Sequence, residues 1–310
     1  MSRLPTAVVI GPLFLDVIFA SLDRLPNPGE ELWCETCEFT AGGAANQARG
    51  LARLGFRVAL CSYVGQDSAG RLVRSIVDDD GVATHLLRPV KRQAVTAAMS
   101  LRTDRAMVSA GTNEAPPLCG PAPDLLMADL RSLAANREVV TQWRGAGTYV
   151  VADAGWDESG AWNPRDLDPL ALADVFVPNE DEARAYTRTD SAEAAAAALS
   201  SLVSHAVVTR GNQGCVGAQA GHRTVCALPP FPANVIDPTG AGDVFSAALG
   251  WALIGGSDLR QAMSVAGLAG ALSTEKLGSI GAPTVEDLRA AASTTPPAGY
   301  ALSLLTQSSS

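Results

Sequence analysis

Apolar positions along the first third of the chain come in short runs broken by glycine and proline, not in a long helical stripe. Thr6–Ile10 is one such run, closed by Gly11, and the pattern predicts a buried strand. Residues 14–20 and 31–39 predict two more strands around the turn-rich Pro26-Asn27-Pro28-Gly29. A helix is expected over 44–54, stopped by Gly55, then a strand over 57–64 and a helix over Ser68–Asp79 ended by Gly81. Residues 95–101 and 106–110 flank Arg102-Thr103-Asp104-Arg105 and read as a hairpin with a polar turn.

After about residue 122 strands and helices alternate again. Short strands are expected at 148–152, 175–177 and 206–209, a helix by propensity at Ala192–Leu199, and a second hairpin from 216–218 and 223–227. The stretch from 240 to 291 is largely helical, and the tail from Thr294, rich in proline, serine and glycine, is expected to fray. Such alternation calls for a mostly parallel sheet covered on both faces. The surplus strands at 13–20, 30–40 and 94–111 do not fit it and would form a separate small sheet. No internal repeat is visible.

Composition narrows the partners. The 310 residues are 47% hydrophobic, enough for a large core, and carry a formal charge of −9. An acidic surface argues against nucleic acid and anionic lipid as main partners. It leaves ATP open, because a phosphate chain is met by Mg²⁺ and by backbone N–H groups at a helix start. The N-terminal apolar stretch is interrupted by Pro12 and Asp16, unlike a signal peptide, and other apolar runs fall short of the about 20 residues that cross a membrane. A cytoplasmic protein is expected. Six cysteines are too few for a disulfide scaffold at this length. Cys34 and Cys37 form a C-x-x-C, but no second pair or histidine cluster completes a metal site, and two incidental thiols in a strand account for them.

The most informative stretch is Asp237-Pro238-Thr239-Gly240-Ala241-Gly242-Asp243. An apolar run leads into it and a long helical pattern follows. The backbone N–H groups of Gly240, Ala241 and Gly242 then sit at a helix N-terminus, where small residues admit an anion and the helix dipole favours negative charge. Asp243, in the first turn beside that anion, is placed to accept a hydroxyl proton as an alcohol attacks phosphorus. A plain helix cap would not need Gly-Ala-Gly. A dinucleotide fingerprint would need glycine where Phe245 stands, and no Walker A sequence is present.

Support comes from Ala41-Gly42-Gly43-Ala44-Ala45-Asn46-Gln47-Ala48. Taken with the 237–243 segment, it resembles the two signatures of the PfkB/ribokinase family of carbohydrate kinases, in the expected order. Asn179-Glu180-Asp181-Glu182 resembles the family's N-x-x-E, Thr209-Arg210-Gly211 its T-[RK]-G, and Asp16 its early substrate-binding aspartate. The resemblance spans roughly residues 6–290 and implies an α/β ribokinase-like fold: one kinase domain over 1–310, a mostly parallel central sheet flanked by helices, and a small β-sheet lid made of the surplus strands.

It also implies roles. Asp16, Gly42, Gly43 and Asn46 would hold the acceptor's hydroxyls, and Thr209, Gly211, Thr239, Gly240 and Gly242 the nucleotide. Asp243, with Gly240, Ala241 and Gly242, would carry catalysis. Asn179 and Glu182 would organise Mg²⁺, largely through water, although the same spacing fits a capping box. The adenine would lie between the stretch after Phe231 and small residues between Val265 and Gly281. A monovalent cation near the Asp237 loop and residues 278–282 is compatible with the resemblance and not required by it. An exposed lid edge offers a surface for a homodimer.

Relatives acting on sugar phosphates often place a lysine in the first signature, and ribokinases share that lysine, whereas Ala44 and Ala45 occupy the variable positions here. The expected acceptor is therefore an unphosphorylated sugar, sugar acid or nucleoside. A sugar-phosphate kinase and a non-catalytic nucleotide-binding protein of the same fold are the alternatives. Asp153-Ala154-Gly155-Trp156 stands where many members carry an Asp–Arg arrangement, so Trp156 is open to stacking on a ring or to packing.

Overall fold

The computed structural model describes residues 3–101, 105–222, 224–293 and 296–306. Strands β1 (Thr6–Ile10), β2 (Leu13–Leu22) and β3 (Thr36–Gly43) lead into helix α1 (Ala44–Arg53). Strands β4 (Arg57–Cys61) and β5 (Tyr63–Gly65), helix α2 (Ser68–Asp79) and strands β6 (Arg88–Val90), β7 (Ala94–Leu101) and β8 (Arg105–Ala110) follow. Alternation resumes with β9 (Leu125–Asp129), α3 (Leu130–Ala135), α4 (Arg137–Gly145), β10 (Tyr149–Asp153), β11 (Val175–Phe176), α5 (Glu180–Thr187), α6 (Ala192–Leu199) and β12 (His205–Thr209). A hairpin of β13 (Cys215–Gln219) and β14 (Cys226–Leu228) precedes helices α7 (Ala241–Ile254), α8 (Leu259–Ser273), α9 (Val285–Ala292) and α10 (Ser303–Thr306).

Among the described residues eight strands form the main sheet, in the order β14-β13-β12-β11-β10-β9-β1-β4. From β12 to β4 every neighbour is parallel, and β13 and β14 extend one edge antiparallel. Parallel strands need both faces covered, and alternation along each strand supplies two cores. Val9, Leu125, Met127, Val151 and Val207 pack with residues of α1, α7 and α8, such as Leu51, Ala248 and Val265. Val8, Leu126, Val150, Phe176 and Val208 pack on the other face with Leu133, Val140, Ala183 and Ala195. Burial of each such aliphatic side chain contributes roughly 1.5–3 kcal/mol. No described helix is long and apolar enough to cross a membrane.

The surplus strands form a second, four-stranded sheet in the order β3-β2-β7-β8. Its strands differ in detail from the sequence expectation. The segment 31–35 is irregular, and β3 starts only where Thr36 finds a partner in Ala20. The turn expected at 102–105 lies largely outside the described residues. The strand expected over 57–64 is broken at Ser62, whose hydroxyl donates to Gly11 O at 2.7 Å while β5 leaves to pair with β6. Strand β9, a continuous apolar run, was not anticipated. The second hairpin forms one to three residues from the expected positions, at Cys215–Gln219 and Cys226–Leu228.

The tail is corrected as well. Its described part, residues 296–306, packs on the core through Leu302 and Leu305, and the Tyr300 hydroxyl donates to Pro229 O at 3.0 Å. Cys34 lies in the irregular segment before β3 and Cys37 within it; both are free thiols, as are the other four cysteines.

Candidate active site

Parallel strands end along one edge, and in open α/β sheets that carboxyl edge is where ligands bind. Asp153 ends β10 and Thr209 ends β12 there. The N-terminus of α7 reaches the same edge, and a cleft of about 230 Å³ opens between them. It is lined by Asp153, Val177, Asn179, Glu182, Thr209, Pro238, Gly240, Gly242, Asp243 and Ser246.

The loop before α7 is held by Asp237, which is fully buried. Its Oδ1 accepts from Thr239 N at 3.1 Å and Thr239 Oγ1 at 2.8 Å, and its Oδ2 accepts from Gly278 N at 2.8 Å. The hydroxyl of Thr239 is thus engaged inside the loop, and Thr239 does not line the cleft. Gly240 caps α7 at φ 80°, a left-handed conformation, with a Cβ there only 2.9 Å from Ser279 Cβ. That position requires glycine on both counts. Of the expected amide cradle, Ala241 N donates to Pro238 O at 3.2 Å and so closes the turn. Gly242 faces open space in the cleft, with no atom within 4 Å of a would-be Cβ.

Helix α1 carries the other signature to this place. Gly43, at φ 64°, turns the chain from β3 into α1, and Ala44 N donates to Pro12 O at 2.9 Å. One helical step later Asn46 Nδ2 donates to Asp243 Oδ2 at 2.9 Å, and Gln47 Nε2 donates to Asp153 Oδ2 at 3.0 Å. Asp16, on β2, is 8% exposed, and its carboxylate lies where a side chain at Gly42 would have to be. The structure therefore brings Asn46 onto Asp243 and sets Asp16, Gly42 and Gly43 together on the lid side, outside the cleft lining.

Asn179 and Glu182 form the capping box of α5: Glu182 N donates to Asn179 Oδ1 and Asn179 N to Glu182 Oε2, both at 2.9 Å. The cap and the cleft position are compatible, because the cap holds the Glu182 carboxylate at the cleft wall. Burial pushes that carboxyl up to about 7, with Asp181 and Asp243 adding to the rise against the opposing bond from Asn179. Asp153 is raised well above the usual range, first by burial and then by Glu182, Asp243 and Asp129. Three carboxyl groups thus share one cleft with mutual repulsion, which a bound cation relieves. Hard oxygen donors of this kind fit Mg²⁺, which keeps several waters and needs few protein ligands.

Thr209 N donates to Pro178 O at 3.0 Å, which fixes the end of β12 against the start of α5; Gly211 follows in a short turn outside the cleft lining. Trp156 is 70% exposed and meets Trp162 edge-on at 5.6 Å. Phe231 is engaged edge-on by Tyr300 at 5.4 Å. Sequence reasoning noted Asp153 only as part of a motif and gave it no role, and it missed Gln47, Ser246 and Ser279, whose hydroxyl donates to Asn46 Oδ1 at 2.6 Å. Gln47 could have been found by its place next to Asn46 in the signature. Ser279 falls within the 278–282 segment singled out for a cation, but nothing local shows that it meets Asn46 from 233 residues away.

Comparison with known proteins gives a consistent picture. The profile described as pfkB family carbohydrate kinase matches residues 5–285. The ribokinase of Bacillus subtilis (strain 168) is 30% identical over 287 residues, 88% of this chain and 94% of that protein. The bifunctional protein HldE of Caulobacter vibrioides is 30% identical over 298 residues, 88% of this chain; the chain spans 60% of that relative's length. The structure of Arabidopsis thaliana ribokinase complexed with ribose and ATP matches with a TM-score of 0.76 at 24% identity, covering 99% of this chain and 100% of that one.

Proposed function

Because the chain belongs to the pfkB family of carbohydrate kinases, a family of phosphotransferases, we propose that it transfers the γ-phosphoryl group of ATP to a hydroxyl of a small unphosphorylated sugar, sugar acid or nucleoside. The observation that carries this reading is the bond from Asn46 to Asp243, which joins the acceptor signature to the helix terminus suited to phosphate.

In this mechanism Asp16, Asn46 and the backbone at Gly42 and Gly43 hold the acceptor's hydroxyls. Thr209, Gly211, Gly240 and Gly242 follow the phosphate chain and nucleotide, and Thr239 contributes through the loop it braces. Val235 and Ile236, 64% and 58% exposed just before that loop, offer apolar faces to the adenine. Asp243 accepts the acceptor's proton as its oxygen attacks the γ-phosphorus. The new O–P bond forms while the bond to the β–γ bridging oxygen breaks, and ADP leaves. The amides at the start of α7 stabilise charge on the transferring group. Glu182 and Asn179 would hold Mg²⁺ through water, and bound Mg²⁺ neutralises charge on the phosphate oxygens.

Ala44 and Ala45, in the signature positions where relatives acting on sugar phosphates often carry lysine, support an unphosphorylated acceptor. A monovalent cation beside the Asp237 and 278–282 loops, pairing of two lids along edge strand β8, and residence in the cytoplasm complete the proposal. The six free thiols suit a reducing compartment. A panel of pentoses, hexoses, aldonic acids and nucleosides, with and without a phosphate, tests the reading as acceptor-dependent ADP release with Mg-ATP. Turnover confined to phosphorylated acceptors would reject the proposed substrate class, and no acceptor-dependent turnover would reject the reaction.

A further inference from the structure

Arg49 is 1% exposed and the largest of the fully buried side chains. A guanidinium in that position is costly unless its N–H groups are matched. Its Nε donates to Asp80 Oδ2 at 2.7 Å, and its Nη2 reaches the same oxygen at 2.7 Å and Thr40 Oγ1 at 3.2 Å. Its Nη1 donates to Ser279 Oγ. From there the contacts run on to the site: Ser279 Oγ donates to Asn46 Oδ1, and Asn46 Nδ2 donates to Asp243 Oδ2.

The direction of this chain follows from donor chemistry. Arginine has donors only, whereas a serine hydroxyl has one proton and two lone pairs, and an asparagine amide can present either end. Ser279 must accept from Arg49, and its one proton is then sent to Asn46 Oδ1. With the amide oxygen committed there, the NH₂ end of Asn46 is the end that faces Asp243. Arg49, which can only donate, and the ionised Asp243, which can only accept, fix the same polarity from the two ends of the chain. Through Thr40 Arg49 also ties lid strand β3 to the same network, and through Asp80 the end of α2.

We infer that Arg49 is a positioning residue for Asp243, acting through Ser279 and Asn46 to hold the carboxylate by one oxygen. The inference rests on the proposed role of Asp243 as the base. It assigns to Arg49 and Ser279 a share in turnover that neither the first nor the second signature contains.

A double-mutant cycle separates this from simple bracing. The full chain is assayed with Mg-ATP and whichever member of the acceptor panel gives the fastest ADP release. Ser279→Ala, which removes both the bond from Arg49 and the bond to Asn46, should lower kcat about 10- to 100-fold with ATP affinity unchanged. In an Asp243→Asn background the same substitution should change kcat by less than about twofold, because the group it positions is gone. Arg49→Lys, which keeps a donor-only cation and needs no repacking of the polarity, should retain more kcat than Arg49→Met. An equal fractional loss in both backgrounds, or a Ser279→Ala enzyme with normal kcat, would overturn the relay and leave Asp243 as base intact. Normal kcat in Asp243→Asn alone would instead remove the base itself.

Discussion

The carboxylate of Asp16 occupies the space that a side chain on Gly42 would need, so that a Cβ there would collide with both of its oxygens. The pair sits where β2 and β3 run antiparallel, Asp16 opposite Thr40 and Phe14 opposite Gly42. Gly42→Ala should therefore displace Asp16 from the acceptor side of the site. We expect kcat/KM for the acceptor to fall about 10- to 100-fold, the scale of a misplaced contact, with ATP affinity unchanged. Unchanged acceptor kinetics in a folded variant would take Asp16 out of the site.

Glu182 gives a pH signature. Its carboxyl titrates near 7 in the folded chain, against an ordinary value of 4.5. Between those values the folded protein holds a proton that the unfolded chain releases. Stability without metal therefore falls as pH rises through this window, and the contribution is absent above it. Glu182→Gln removes this dependence. The melting temperature of the parent protein should drop more than the variant's between about pH 5 and pH 8, and Mg²⁺ should restore the parent alone. Parallel pH curves would show that the Glu182 carboxyl is not raised, and equal Mg²⁺ stabilisation of the two proteins would remove Glu182 from the metal's surroundings.

Asp237 accepts from both sides of the loop, and Asn cannot: its NH₂ end would face Gly278 N. Asp237→Asn should lose about 1.5–3 kcal/mol of stability in urea titration, the scale of a bond to a charged group. The ATP dissociation constant should rise with the loosened loop. Full stability would show that the two loops are held by something else.

The tail of the chain should matter more than its composition suggests. Leu305 is 4% exposed inside the main core. Leu305→Ala should cost about 2–5 kcal/mol, as buried leucine truncations do. A cost below about 0.5 kcal/mol, typical of surface sites, would mean a frayed end after all.

The elements that sequence made legible are those whose local signal and tertiary role agree. Helix α1 follows two glycines and ends before Gly55, and Asp237 to Asp243 announces a glycine-led helix terminus. The misreadings have a common cause in pairing. Residues 31–35 alternate like a strand but find no partner, so β3 begins at Thr36. The apolar run of β9 is central because β1 and β10 flank it, which no local pattern states. Arg49 reads as one more charge on a helix, yet it is buried because Asp80, Thr40 and Ser279 arrive from three separate elements. The capping box of Asn179 and Glu182 was visible in their spacing, whereas the nearness of the Glu182 carboxyl to Asp153 and Asp243 was not.

The central claim is that Asp243 takes the acceptor's proton, and Asp243→Asn tests it most directly. Asn preserves size and the contact geometry with Asn46 but cannot act as a base. The measurement is kcat at saturating acceptor and Mg-ATP, read beside the ATP dissociation constant and the melting temperature. General-base catalysis contributes about 10²- to 10⁴-fold, so kcat should fall within that range while nucleotide affinity and folding stay near normal. A folded Asp243→Asn protein that binds ATP and turns over at a near-normal rate would contradict the account.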